Sequence, residues 1–248
     1  STDGYLSSAD WNRFDASAEA QNLSSVYVEP VNGLDTNLGT ITNPFKTIQH
    51  AINVVSTNGV IHLSDGYYNE NPIIGTNIGL KILGTGVYPF PLSIIQGQIT
   101  ITGTANDILI ESISITNVVS NGQATSMGFA NVAFNQPTGS ALNINPNNAS
   151  NNVIVQIVGC NFRNQNGIIN LQNFSNGHFG TVVLASSLEP DMVVGTSWSG
   201  IITKNILGSG SITGNTSGLQ YLVNAVGVNG SMQYSNNGLL AGDSNIIT

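Results

Sequence analysis

The sequence predicts an all-β chain built as a solenoid, on three observations. First, composition: 34 Asn, 28 Gly and 46 Ser plus Thr in 248 residues supply turn-forming, uncharged material, while the Ala, Leu, Glu and Lys that dominate helical proteins are scarce. Second, short apolar alternations recur between Gly and Asn, as in Val60-Ile61-His62-Leu63, Ile99-Thr100-Ile101 and Val153-Ile154-Val155. Third, a template of apolar residues at i, i+2, i+5 and i+7 repeats. Ile108, Ile110, Ile113 and Ile115 fit it. Met127, Phe129, Val132 and Phe134 fit it nineteen residues later, and Val155, Ile157, Cys160 and Phe162 twenty-eight after that. Two apolar pairs per copy imply two short strands joined by a corner, with alternate residues pointing inward. Such a unit buries its inner face only by stacking on its neighbours.

Each copy of the template ends in Asn one or two residues on, at Asn117, Asn135 and Asn164. Seven Asn-Gly pairs also punctuate the chain. Asn-Gly can mark a two-residue hairpin, which would favour an antiparallel sandwich; the repetition argues against it. Near the N-terminus, Ser7 and Asp10 read as a capping box for a short helix carrying Trp11 and Phe14 on one face. A helix that short cannot cover two large aromatics, so either the rest of the chain or a second copy of it is expected to. Val26 and Val28 alternate as in a strand. After a turn-rich loop, Pro44 opens a helix with Phe45, Ile48, Ile52 and Val55 on one stripe, ending at Asn58-Gly59.

Charge sets the partners that are excluded. Only 7% of residues are charged, and five Lys plus Arg face thirteen Asp plus Glu, for a net charge of −8. Too few basic side chains are present to neutralise phosphates, so no nucleic-acid partner is expected. No basic membrane-surface face is expected either, and no apolar run approaches the 18 residues of a spanning helix. Ser1-Thr2-Asp3-Gly4 is not a signal peptide and reads as the start of a fragment or processed product. The single cysteine, Cys160, excludes an intrachain disulfide.

The run from Val26 through Asn32-Gly33-Leu34-Asp35-Thr36-Asn37-Leu38-Gly39-Thr40 to Pro44-Phe45-Lys46-Thr47-Ile48-Gln49-His50-Ala51-Ile52 resembles the N-terminal segment of pectin-lyase-like right-handed parallel β-helices. Ile61-His62-Leu63-Ser64-Asp65-Gly66-Tyr67-Tyr68 resembles that family's first coil. The resemblance implies that the helix near 44–56 plugs the open end of the solenoid. Both ends resemble another group. Asp3-Gly4-Tyr5-Leu6-Ser7-Ser8-Ala9-Asp10-Trp11-Asn12-Arg13-Phe14 looks like a segment of phage tail-fibre and related fibre proteins. Gly230-Ser231-Met232-Gln233-Tyr234 with Asn237-Gly238-Leu239-Leu240-Ala241-Gly242-Asp243-Ser244-Asn245 resembles their tip-proximal region. Together these imply a homotrimeric tail fibre, tailspike or phage-derived bacterial adhesin, extracellular, with a fibre segment at 1–24, a parallel β-helix at 25–218 and a tip segment at 219–248. In such proteins a C-terminal chaperone domain often follows and is sometimes removed, so Thr248 reads either as a cleavage point or as an imposed end of the fragment.

The β-helix family includes polysaccharide lyases and glycoside hydrolases, so catalysis has to be weighed. Glycoside hydrolysis usually takes two carboxylates about 5–9.5 Å apart. Asp65 with Glu70, Asp107 with Glu111 and Glu189 with Asp191 are the candidate pairs, each with a better reading as turn or loop chemistry. Asn32, Asp35 and Asn37 offer spaced oxygens for Ca²⁺, but loop bonding to backbone is favoured. His50 and His62 are expected to be structural, Cys160 to be core, and three His with one Cys offer no zinc spacing. No cofactor is expected and no catalytic residue is assigned. Binding is easier to support, because a surface rich in Asn, Ser and Thr bonds sugar hydroxyls without charge. The stacking platforms expected are Tyr88 and Phe90, the His178–Phe179 pair, and Trp198, each with an alternative role in packing. The expected function is attachment to a cell-surface glycan; a depolymerase is the second reading and a ligand-free shaft the third.

Overall fold

A computed structural model describes residues 7, 23–75, 79–87, 90–122, 124–135, 139–146, 152–162, 168–174, 177–185, 191–204, 212–223 and 233–235. Asp10, Trp11 and Phe14 of the N-terminal segment and most of the tip segment lie outside them.

The chain is all-β with parallel sheets, as the composition predicts. From Gly59–Leu63 to Leu219–Val223 the chain crosses after each strand of one sheet to the other, then returns to lay a new parallel strand beside the last. The first sheet runs in order through Ser25–Val28, Gly59–Leu63, Leu80–Leu83, Ile108–Glu111, Ser126–Ala130, Val153–Val158, Gly180–Ala185, Trp198–Lys204 and Leu219–Val223, all parallel. A last strand, Gln233–Ser235, joins antiparallel. The second sheet centres on two long strands, Ser93–Gly103 and Ile113–Gly122. Their first halves pair with Gly66–Tyr68 and Ala133–Phe134, their second halves with Ile73–Ile74 and Ser140–Asn145. The sheet continues through Ile168–Leu171, Asp191–Val194 and Ile212–Gly214. Among the described residues the only other antiparallel pairing is the small hairpin Gly86–Val87 with Phe90–Pro91.

The repeat template falls into register in the structure. Met127 pairs with Ile108 and Val155, and Phe129 with Ile110 and Ile157. In the second sheet Phe134 pairs with Ile115 and Phe162. All twelve template positions are buried. Phe134 and Phe162 stack at 4.8 Å and 7°. Cys160 is core, as expected: its thiol points at the Phe129 carbonyl oxygen at 3.4 Å, and burial pushes its pKa up to about 12.

The corner between the sheets explains the irregular spacing. Ser112 and Asn131 adopt left-handed backbone (φ 56° and 53°), and Gly159 occupies the same corner at φ 61°. Their N–H groups bond upward to the carbonyls of Ala130, Val158 and Ala185 at 3.0, 3.0 and 2.7 Å. The tight corner is conserved from pass to pass, and insertions are taken up elsewhere. Polar ladders fill the second sheet: Asn117 Nδ2 donates to Gln98 Oε1 at 2.9 Å, and Asn143 Oδ1 accepts from Asn170 and Gln172. Asn135 donates to the Ser114 hydroxyl. Asn164 lies outside the described residues.

The helix is shorter than expected. It spans Ile48–Val54, not 44–56, and buries Ile48, Ala51 and Ile52. Phe45 is buried by a different route: it bridges to Val28, its N–H bonding Tyr27 O and its carbonyl accepting from Glu29, each at 2.9 Å. Pro44 therefore ends a loop and does not begin the helix. Thr47 is the N-cap, its hydroxyl accepting from His50 N–H at 3.1 Å. Glu70 reaches from the next pass to accept from Ile48 N–H at 2.8 Å and Gln49 N–H at 3.0 Å, which satisfies the first donors of the helix. Among the described residues no helix is long and apolar enough to cross a membrane.

Candidate functional site

Two of the carboxylates weighed as catalytic pairs are engaged in the fold, and Asp191 opens the strand Asp191–Val194. Glu70 caps the helix, and Asp65 accepts from the Thr85 hydroxyl. Asp107 takes a left-handed corner at φ 54°. Glu111 ends its strand beside Leu83 and Ala130. Glu189 is outside the described residues. The oxygens considered for Ca²⁺ hold the loop: Asp35 accepts from the N–H groups of Lys46 and Thr47 at 2.9 Å and from the Thr47 hydroxyl, and Asn37 Nδ2 donates to Pro44 O at 2.8 Å. Among the described residues no group of three or more His, Cys, Asp or Glu is arranged to hold a metal.

Burial works to raise the Asp35 pKa, but the bonds from Thr47 and Lys46, with the His50 charge nearby, leave it lowered. A lowered folded value gives stability that is present above the unfolded carboxylate range, near about pH 4, and fades as pH falls through the folded value. Asp35→Asn is expected to lower stability by about 1 kcal/mol at neutral pH, as for lost helix-cap bonds. The gap between variant and wild type should close in acid, read by thermal unfolding across pH. A pH-independent gap would contradict this.

Among the described platforms, Phe90, His178 and Trp198 belong to different elements, with Trp198 paired to Gly180 two residues beyond His178. Tyr88 lies outside the described residues. Phe90 stands on the small hairpin with 68% of its surface exposed. His178 is half-buried and Phe179 is 52% exposed, at the corner that feeds Gly180–Ala185. That corner is pinned: Phe179 N–H bonds Asn152 Oδ1 at 3.2 Å, and its carbonyl accepts from Val153 at 3.1 Å.

Trp198 takes the packing role that stood as its alternative. It is 3% exposed, tilted against Phe174 at 5.2 Å, with its indole N–H donating to Gln172 O at 2.8 Å. Gly180 makes room for it, since a Cβ there would sit 2.3 Å from the ring. Trp198 packs between successive passes and presents no stacking face to solvent. His62 and His50 are structural, as expected. His62 lies flat on Tyr27 at 4.7 Å and 16°, and burial lowers its pKa; His50 meets Phe45 edge-on at 4.6 Å.

Two features escaped the sequence reading. One is an open groove of about 730 Å³ beside the helix, lined by Gln49, Ile52, Asn53, Val55, Ile73 and Gly75. The other is the outer face of the first sheet, where Ile154 and Val158 are 45% and 48% exposed and Ile201 is 39% exposed. The signal was present in Val153-Ile154-Val155-Gln156-Ile157-Val158, which is apolar on both faces apart from one amide; strands of that kind are normally covered on both sides.

No family model, curated protein or solved structure matches the chain.

Proposed function

We propose that the chain is a right-handed parallel β-helix, its first open end covered by the helix Ile48–Val54, and that it works as a glycan-recognising unit of a homotrimeric attachment fibre. Right-handedness follows from the rule for parallel strands joined by a crossover within one sheet. The covering role rests on Ile48, Ala51 and Ile52, which the helix buries beside the first strands; an open solenoid end would expose core and unpaired strand edges.

The observation that carries the binding reading is the Phe179 corner. Its ring is held out from a backbone fixed on both sides, in a neighbourhood of His178, Asn152 and Thr181 without a charged side chain among them. An aromatic face with amide and hydroxyl groups beside it suits the C–H patches and hydroxyls of a neutral or amino sugar. Phe90 offers a second face of the same kind on the hairpin. The engagement of Asp65 and Glu70 in the fold takes that pair from the depolymerase and favours this reading.

A glycan library read for both retention and product release tests it. Retention should change little between low and high salt, because five basic residues cannot pair a polyanion. Phe179→Ala or Phe90→Ala should reduce retention with the unfolding midpoint unchanged, since both rings are largely exposed. Steep salt dependence would overturn the neutral-glycan reading. Release of oligosaccharides would replace it with the depolymerase.

A further inference from the structure

We propose that the groove beside the helix Ile48–Val54 is the docking site of the chain's own N-terminal segment, seated through Trp11 and Phe14; the inference goes beyond the attachment reading and needs neither a glycan nor a trimer. The groove starts from a strand edge. Ile73–Ile74 pairs on one side only, with Ser93–Gly103. On its other side Gln49 takes the place of a neighbouring strand. Its Oε1 accepts from Ile73 N–H at 2.7 Å, and its Nε2 donates to Ile73 O at 3.2 Å and to Asn53 Oδ1 at 3.0 Å. One side-chain amide thus satisfies the edge at a single residue and ties the helix to the strand. Past it a space of about 730 Å³ stays open. Ile52 and Val55 form its helix wall, and Ile73, 51% exposed, its strand wall. A Cβ built on Gly75 would meet nothing within 4 Å. Among the described residues the lining carries the Gln49 and Asn53 amides and no charge.

Three arguments select the N-terminal segment as the occupant. The first is where it leaves the fold. Leu23 packs against the core, and its carbonyl accepts from Ser56 N–H at 3.0 Å. The chain before it therefore departs next to Val55, at one end of the groove. The second is reach. Phe14 precedes Leu23 by nine residues, which span up to about 30 Å, while the helix of seven residues is only about 10 Å long. So short a tether presents the segment at an effective concentration of about millimolar. The third is chemistry. Trp11 and Phe14 are an apolar pair at i, i+3, set among Asp10, Arg13 and Asp15. Such a pair needs a small apolar cleft with an acceptor for the indole N–H, and not a broad surface. The groove volume lies in the range of about 300–1,000 Å³ that encloses a drug-sized group. Asn53, exposed at its rim, has a carbonyl oxygen with a second lone pair to offer. No ring lines the groove for a sugar to stack on, and no charge for an ionic ligand.

Fluorescence of the full chain carrying Trp198→Phe, which leaves Trp11 as its single indole, tests the assignment. Trp11 emission should be shielded from acrylamide. Gly75→Phe puts a ring into the open space and should abolish the shielding with the β-sheet circular dichroism intact. Ile73→Asp, at a half-exposed wall position, should do the same, so the test stands if either variant folds. Val193→Asp, 40% exposed in the strand Asp191–Val194 far along the stack, should leave the shielding unchanged. A Trp11 quenched as strongly in the folded parent as in the denatured chain overturns the proposal. Shielding that survives both groove variants overturns it too, since the ring is then covered elsewhere. Covalent linking decides whose segment is seated. Phe14→Cys with Asn53→Cys, treated with a short bifunctional maleimide while Cys160 is buried, should give an internal link at one chain mass under denaturing conditions. Two chains joined would assign the groove to the segment of a second copy and overturn the proposal, as would the absence of any link.

Discussion

Replacing Trp198 by alanine is expected to destabilise the chain by about 3–5 kcal/mol, the range for removing a buried aromatic. The indole fills space that Gly180 leaves open and that Phe174 closes from the side. The neighbouring strands cannot collapse into the void, because Gly180–Ala185 is bonded in register to both Val153–Val158 and Trp198–Lys204. Part of the loss is polar. Without the indole N–H, the Gln172 carbonyl loses its 2.8 Å bond, so Trp198→Phe should retain most of the packing and still lose about 1 kcal/mol. Denaturant unfolding gives the magnitudes, and amide exchange should show the loss concentrated in the strands around residues 168–204, because each pass touches only its neighbours. Glycan retention per folded molecule should be unchanged. A stable Trp198→Ala protein with impaired retention would return Trp198 to the binding surface.

The Trp198 outcome also shows where sequence reading reaches its limit. Thr196-Ser197-Trp198-Ser199-Gly200 has the composition of an exposed turn, and Ser197 is indeed a left-handed corner residue at φ 65°. The space that receives the ring belongs to Gly180 and Phe174, and nothing local announces that they lie alongside. The helix start failed for the same reason. Pro44 and Phe45 fit a helical stripe, but Asp35 and Glu70, 12 and 22 residues from the atoms they bind, fix the start at Ile48. The template at Ile108, Met127 and Val155 was legible because alternation is local and because its corner residues, Ser112, Asn131 and Gly159, hold the same geometry at each pass. What varies is the length of the excursion between corners, which is why three copies at unequal spacing fell into one register. The outer face was missed because its residues were read for the core side alone.

The largest single loss is expected at the centre of the stack, in Phe129→Ala. Phe129 is 1% exposed, lies between Ile110 and Ile157 in the first sheet, and approaches Phe134 of the second at 6.1 Å. It therefore spans the interior, and its removal opens a cavity walled by its own pass and the two on either side, which hydrogen bonds hold at fixed spacing. The cost should lie at the upper part of about 3–5 kcal/mol, against about 2–5 for Ile110→Ala or Ile157→Ala. Coupling is the sharper measurement. Phe129 and Ile157 are adjacent in one column, so after the first truncation the second removes contacts already lost, and the double variant should fall short of the summed single losses by about 0.5 kcal/mol or more. Phe129 paired with Ile61, three strands away along the same column, should be additive. A stack in which each pass rests only on its neighbours demands that contrast. Free tolerance of Phe129→Ala would instead mean that the strand is turned by one residue, with its inward and outward faces exchanged.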